Sequence, residues 1–505
     1  MSSDQIDPRA PARGSRRRDL MRGALAGVGG LAAPRILPPL ADRVAAATPV
    51  APDQIAPPIR KSGLAVRLVD FSTPPRTSAT ARPYALLNFL YHANDGARRL
   101  FAVDSRGRLW ALNRTTGKAS LSLDMKKTRG SAFIAPSGAN SMKAMGFRSF
   151  ACHPDFGRSG RPGYRKIYTV ATETAASRPS SVRVLGGNYN VLFHDTIAEY
   201  TAYPTQPWKF DPSTRREVVR IAQYKNGHNT DQLMFDPNAT IGTAAYGKMF
   251  VTVGDGGNND NNTDPNNLAQ NRAVPIGKIL RIDPLRQSNG ARYRVPADNP
   301  FVGRAGYLPE IYALGLRHPQ NMCFDRGATH PFAFIFIDIG QAQAEEVNVG
   351  IPGANYGWPE REGTFKTNRL NDRLIEPLPA DDSSLGYTYP VAQYGHIEGT
   401  ASGRAAIVGG FVYRGTAIPY LRGHYLLGDL VTGRIFHVPV ADLRLGSLAT
   451  LQELTLYSNG AEVTLLSLVG GLERADLRFG QDESGELFVM TKQDGIIRKM
   501  AAYPG

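Results

Sequence analysis

The chain has 505 residues, 42% hydrophobic and 20% charged, which suits a globular protein with a sizeable core and excludes a disordered or collagen-like chain. A formal net charge of +15 invites a nucleic-acid partner, but eight Arg against four acidic residues fall in the first 47 positions. The other Lys and Arg are scattered with no run of five, so the basic balance bears on solubility and nonspecific contacts, and no nucleic-acid partner is expected.

Residues 1–47 read as an address. Arg17-Arg18-Asp19-Leu20-Met21-Arg22 resembles the twin-arginine export motif, a modest apolar stretch runs from Gly23 to Ala33, and Ala45-Ala46-Ala47 offers a small-residue cleavage site. The apolar stretch is too short and too Gly-rich to span a bilayer, which needs about 20 apolar residues. No later segment reads as a membrane helix, so a soluble periplasmic or secreted product is expected. Residues 48–80, rich in Pro, Ala and Thr, are expected to form a linker and a first edge strand.

From residue 81 to 505 the pattern is strand, turn, strand. Arg99–Leu112, Lys248–Gly257, Phe332–Gly340, Ala406–Gly415, His424–Val438 and Gly485–Met500 join β-branched or aromatic runs through Gly- or Asp-containing turns. The 52 Gly and 36 Pro are spread along the chain, as many short strands with tight turns require. A degenerate repeat places turn acids at Asp155, Asp236, Asp325 and Asp482, spaced 81, 89 and 157 residues apart, the last close to a doubled period. A period near 80 suits four-stranded blades with long loops. The expected fold is all-β, a six-bladed β-propeller of four-stranded antiparallel sheets, with a β-sandwich array as the alternative. Cys152 and Cys323 sit in similar strings, FACHPDF and NMCFDRG, and read as buried free thiols ahead of a disulfide.

Nine motifs carry a resemblance over about Leu86 to Met500. They are GFRSFACHPDF (Gly146–Phe156), GHNTDQLMFDP (Gly227–Pro237), VTVGDGG (Val251–Gly257), GKILRIDP (Gly277–Pro284), YRVPADNPF (Tyr293–Phe301), EIYALGLRHPQNMCFD (Glu310–Asp325), DIGQAQAEEVN (Asp338–Asn348), GANYGWP (Gly353–Pro359) and GGFVYRG (Gly409–Gly415). In this order they resemble the soluble quinoprotein sugar dehydrogenases, the glucose/sorbosone dehydrogenase family. The resemblance implies PQQ-dependent oxidation of an aldose at its C1 hydroxyl, with PQQ and calcium as cofactors and a sugar and an external electron acceptor as partners.

Residue by residue, the resemblance implies that His228 is the general base, since a neutral imidazole accepts a proton near neutral pH. Arg317 matches the arginine beside cofactor and substrate, where a guanidinium can grip quinone or carboxylate oxygens. His318 stands where the family has Asn, and Arg474 matches one of two late cofactor-binding arginines. Gly340 and Gln341 match positions whose carbonyls face an active-site Ca²⁺; Glu346 and Tyr356 match a second, structural calcium site. The GDGGNNDNNTDPNN run reads as a solvated loop without EF-hand spacing.

The sequence also departs from the family. Gly227 stands where an Asp precedes the catalytic His, a Gln is replaced near Ala144, and Val431 replaces a Lys, with Arg434 close by. These losses are expected to leave the imidazole without its nearest carboxylate and to weaken binding of a tricarboxylated quinone. The alternatives are a noncatalytic propeller of the hedgehog-interacting type that binds a protein or glycan, and a calcium-dependent lactonase-type hydrolase.

Overall fold

The computed structural model describes residues 50–504, apart from 52–53, 80–81, 137–143, 258–266, 329–332, 342, 372–373 and 401–402. The twin-arginine segment and most of the Asn-rich run therefore lie outside the described residues. The fold is all-β, with few and short helices.

Strand β1 (Arg60–Ser72) alternates between faces: Val66 and Leu68 are buried while Arg67 and Val69 face solvent, the period-two signature of a half-covered strand. It is not the edge strand expected for 48–80. It pairs in parallel with a strand near residue 452 and antiparallel with the last strand of the chain. The segment reads as a linker because its two partners lie about 390 and 430 residues away in sequence, beyond the reach of any local pattern.

The rest follows in chain order. Strands β2 (Leu87–His92), β3 (Arg99–Asp104), β4 (Arg108–Asn113) and β5 (Ala119–Asp124) form an antiparallel run. Next come β6 (Phe147–Cys152), β7 (Lys166–Thr174), the two-residue β8 (Val184–Leu185), β9 (Phe193–Ala202) and β10 (Phe210–Gln223) in a five-stranded sheet. A four-stranded sheet holds β11 (Thr230–Phe235), β12 (Met249–Val253), β13 (Lys278–Ile282) and β14 (Ile311–Leu314). Another holds β15 (Met322–Phe324), β16 (Phe334–Asp338), β17 (Ala344–Val349) and, after the small sheet of β18 (Arg361–Glu362), β19 (Phe365–Thr367) and β20 (Ile375–Glu376), β21 (Ala392–Gly395). Then follow β22 (Ile407–Val412), β23 (His424–Asp429), β24 (Ile435–Pro439), β25 (Gln452–Ser458) and its short partner β26 (Ala461–Val463). The last run is β27 (Leu477–Gln481), β28 (Leu487–Thr491) and β29 (Ile497–Ala502), against which β1 pairs. Through β1 this run joins β22–β25, and through β27 it joins β2–β5, in one 13-stranded sheet, so among the described residues only two of the sheets hold the four strands expected.

The first strand of each run packs on the next: β2 meets β6, β6 meets β11, β11 meets β15, β15 meets β22, β22 meets β27, and β27 returns to β2. Strands β11, β15, β22 and β27 are buried along their whole length. Polar side chains such as Asp231 on β11 and Arg478 on β27, and Arg148 on β6, are therefore held away from water. Both cysteines are free thiols, Cys152 half-buried and Cys323 buried, and burial pushes both thiols up. No described helix is long and apolar enough to cross a membrane.

Candidate functional site

His228 lies two residues before β11, in a backbone conformation with φ 46°, unusual for a residue with a side chain. The turn after β12 wraps around it. A Cβ at Gly254 would stand 2.4 Å from the His228 carbonyl oxygen, and one at Gly257 would stand 3.0 Å from the imidazole Cγ. The glycines of VGDGG are thus required by the close approach of two turns, and between them Asp255 is aimed at the ring.

Asp255 Oδ1 lies 2.8 Å from His228 Nδ1 and accepts the Gly257 N–H at the same distance, while its Oδ2 accepts the Trp358 indole N–H at 3.0 Å. The carboxylate expected to be missing beside the imidazole, because Gly227 replaces Asp, is supplied from this turn after β12. Burial pushes Asp255 up, but the neighbouring His228, Arg317 and the Gly257 N–H outweigh it and hold the carboxyl below its usual range. An ionised Asp255 fixes the proton on Nδ1, which leaves Nε2 with the lone pair. His228 is a fifth exposed; burial first, then the charges of Arg317 and His318, push it down to about 4 despite Asp255.

His318 stacks on His228 with ring centroids 4.4 Å apart and planes 19° apart. Its Nε2 meets Asp231 Oδ2 at 2.5 Å, and Asp231 Oδ1 is paired with Arg148. Burial pushes Asp231 up, but Arg148 and His318 overcome it and hold the carboxyl far below the usual range. Asp338 clamps the backbone here, accepting the N–H groups of Arg317 and His318 on its two oxygens.

Arg317 is 9% exposed and sits with its guanidinium carbon 5.6 Å from the centre of the Trp358 ring. Its Nε and Nη2 donate to Gln341 Oε1 and its Nη1 to Ile339 O, so the side chain is held in place rather than free to swing. The structure thus brings together His228, Arg317, His318 and Gln341, with Gly340 next in sequence. Glu346 and Tyr356 stand apart from one another in their bonding. The Tyr356 hydroxyl donates to Val349 O, whereas Glu346 accepts from Asn348 and the Gly363 N–H. Burial first, then repulsion from Glu362 and Glu345, pushes Glu346 up to about 7, and burial with the charge of Glu346 raises Asp338. Among the described residues no three His, Cys, Asp or Glu converge as a metal cage.

Arg474 pairs with Asp476 Oδ1 at 2.6 Å, at the rim of a second group of cations. Arg148, Arg478 and Lys492 are 1–3% exposed, and each of the latter two is lowered first by burial and then by neighbouring cations. Arg478 falls to about 10, and Lys492 well below its usual value. Nε and Nη1 of Arg148 have no hydrogen-bond partner among the described residues. Buried cations in excess of carboxylates, with donors left over, suit a ligand that carries several carboxylates. Arg434, the expected substitute for the lost Lys at Val431, is spent elsewhere: it binds Glu453 through Nε and Nη2 and Glu398 through Nη1. Ala144 contributes only its carbonyl, which accepts the Asn229 side chain at 2.9 Å.

Asp255, Asp231, Trp358, Arg148, Arg478 and Lys492 are the residues that sequence reasoning missed. Asp255 and Asp231 lie inside motifs quoted for the resemblance, and the polar Asp231 within the buried run TDQLMF was the available signal. Arg148 lies on β6, Arg478 on β27 and Lys492 in the turn after β28, and the three carry no common spacing.

Residues 214–458 match the family model for glucose/sorbosone dehydrogenase. The chain is 30% identical over 379 residues to the HIPL2 protein of Arabidopsis thaliana, covering 68% of this chain and 50% of that protein. It is 25% identical over 415 residues to the hedgehog-interacting protein of Mus musculus, covering 80% and 48% respectively. The chain spans about half the length of the curated relatives it matches. Its fold resembles the PQQ-bound form of aldose sugar dehydrogenase from Streptomyces coelicolor, with a TM-score of 0.53, 18% identity, and coverage of 88% of this chain and all of that one.

Proposed function

We propose that the chain, whose residues 214–458 match the family model for glucose/sorbosone dehydrogenase, is a PQQ-dependent aldose dehydrogenase built as a six-bladed propeller. In this reading each first strand opens a blade, and β1 completes the last one beside β29. The observation that carries the catalytic reading is the Asp255–His228 pair, with its Nε2 lone pair, beside a fixed guanidinium at Arg317.

His228 is neutral at neutral pH, so its Nε2 accepts the C1 hydroxyl proton. Asp255 holds the ring in one tautomer and stabilises the imidazolium as it forms. Arg317, anchored by Gln341 and Ile339, keeps a fixed positive charge next to the reacting oxygens. PQQ, when bound, supplies the hydride acceptor, and an external acceptor regenerates it. Its carboxylates would suit Arg148, Arg478, Lys492 and Arg474, which would make up the charge lost at Val431. Calcium, with the carbonyls of Gly340 and Gln341 or with Glu346 and Tyr356 as ligands, remains part of the proposal without a step assigned to it. The experiment is to add PQQ and Ca²⁺ to the purified protein and record quinone absorbance and sugar-dependent dye reduction. Absence of both signals overturns the reading.

A second reading, a binding module, is favoured by one observation. His318 covers one face of the His228 ring, where the family's smaller Asn would leave it open. The match to the hedgehog-interacting protein supports the same reading. An inert protein that still takes up an extracellular protein or glycan would place it first.

A further inference from the structure

Strands β2, β6, β11 and β15 run from the His228 site to a separate cavity at their far ends. It encloses about 80 Å³ and is lined by His92, His153, Arg158, Asp236, Arg326 and neighbouring apolar side chains. His92 is the last residue of β2, His153 follows β6, Asp236 follows β11, and Arg326 lies two residues past β15. We propose that this cavity binds a small oxyanion, of the size of acetate or phosphate, independently of the His228 site.

Unspent hydrogen-bond donors point to the ligand class. His92 is 3% exposed, yet neither of its ring nitrogens has a hydrogen-bond partner among the described residues. His153 is 1% exposed; its Nδ1 accepts the Asp155 N–H at 3.0 Å, which places the proton on Nε2, and that N–H has no acceptor among the described residues. Burying such donors without acceptors costs free energy that a ligand oxygen would return. Arg158 donates to the Tyr246 hydroxyl, and Arg326 to the Glu483 carbonyl and the Asn94 side chain. Neither arginine has a carboxylate partner among the described residues, so two positive charges border the cavity against the single carboxyl of Asp236. Burial followed by the charge of Arg326 keeps His92 neutral, and burial raises Asp236.

Size sets the rest. A water needs roughly 10–15 Å³ of such enclosed space, so the cavity takes several waters or one small anion. Binding to the folded state alone raises the melting temperature by mass action. The test measures melting of the full chain in sodium acetate and in sodium phosphate, against sodium chloride at equal ionic strength. The proposal expects one or both oxyanions to raise the melting temperature beyond the chloride control. Arg326→Gln, and separately the more exposed Arg158→Gln, should each weaken the response about tenfold or more. His228→Ala should keep it, which separates this site from the proposed catalytic one. A response equal to chloride, one indifferent to both arginine substitutions, or a crystal soaked in either salt with water alone in the cavity overturns the proposal.

Discussion

His228 and His318 stack 4.4 Å apart, each bonded through one ring nitrogen to its own carboxylate, Asp255 and Asp231. The charge of His318 is one of the causes that lower His228. Replacing His318 with Asn, the residue usual in the family, removes that cause. The His228 titration should then move up from about 4, read by ring-proton chemical shifts or by the acid limb of kcat/KM. An unmoved titration would mean that the stack has no electrostatic role.

The two glycines flanking the site should behave oppositely. Gly254→Ala drives a methyl group against the His228 backbone and should destabilise the fold by several kcal/mol, on the order of severe overpacking. Gly227 has open space, since a Cβ there would stand 4.0 Å from its nearest neighbour, the Gly257 Cα, and its φ is not left-handed. Gly227→Asp should therefore fold with a melting temperature near wild type and raise the basicity of His228. Melting curves of the two variants check the contrast; equal losses contradict it.

Four buried histidines should each cost stability on mild acidification. Burial holds His153, His194, His228 and His437 down at about 4. In the unfolded chain each takes up a proton below about 6.5. Between about 6.5 and 4 the unfolded state therefore binds more protons, and stability drops as pH falls through that window, by up to about 1.4 kcal/mol per pH unit for each group. His396 opposes this: burial lowers it, but Glu345 outweighs burial and raises it, so its contribution is full at low pH and is lost as pH rises through its folded value. Glu346, pushed by burial up to about 7, and Asp195, pushed by burial up to about 6, oppose it too, since between those values and about 4 the folded state holds protons that the unfolded chain has lost. The rings are therefore read singly: their ring-proton shifts should titrate near about 4 in the folded protein, and titration near about 6.5 contradicts the burial assigned to them.

Export rests on sequence alone, and we propose a twin-arginine route to the periplasm or beyond. Arg17→Lys with Arg18→Lys should leave the precursor in the cytoplasm, because the pair is read by a receptor and not as bulk charge. Cell fractionation checks it, and normal delivery of the double variant contradicts it.

What could be read from the sequence was local. The β-branched and aromatic runs at Phe332–Gly340 and Lys248–Gly257 became β16 and β12, buried at every position, because a short apolar run bounded by turn residues is written in adjacent residues. The pairing of β1 with β25 and β29 was not legible, since nothing local marks a partner at the other end of the chain. His228, Arg317 and His318 were found through their motifs. Asp255 was passed over because GDGG reads as a turn, and only the three-dimensional approach of Gly254 and Gly257 to His228 reveals its target. Arg148, Arg478 and Lys492 look like ordinary surface cations until burial places them together.

The central claim is that His228, held by Asp255, is the base of a PQQ-dependent sugar oxidation. Its most direct test is sugar-dependent dye reduction by wild type and His228→Ala after both are saturated with PQQ and Ca²⁺. The account predicts equal quinone absorbance in the two proteins and a turnover about 10²–10⁴-fold lower in the variant. Equal turnover in the two, or no sugar-dependent reduction by the PQQ-saturated wild type, would contradict it.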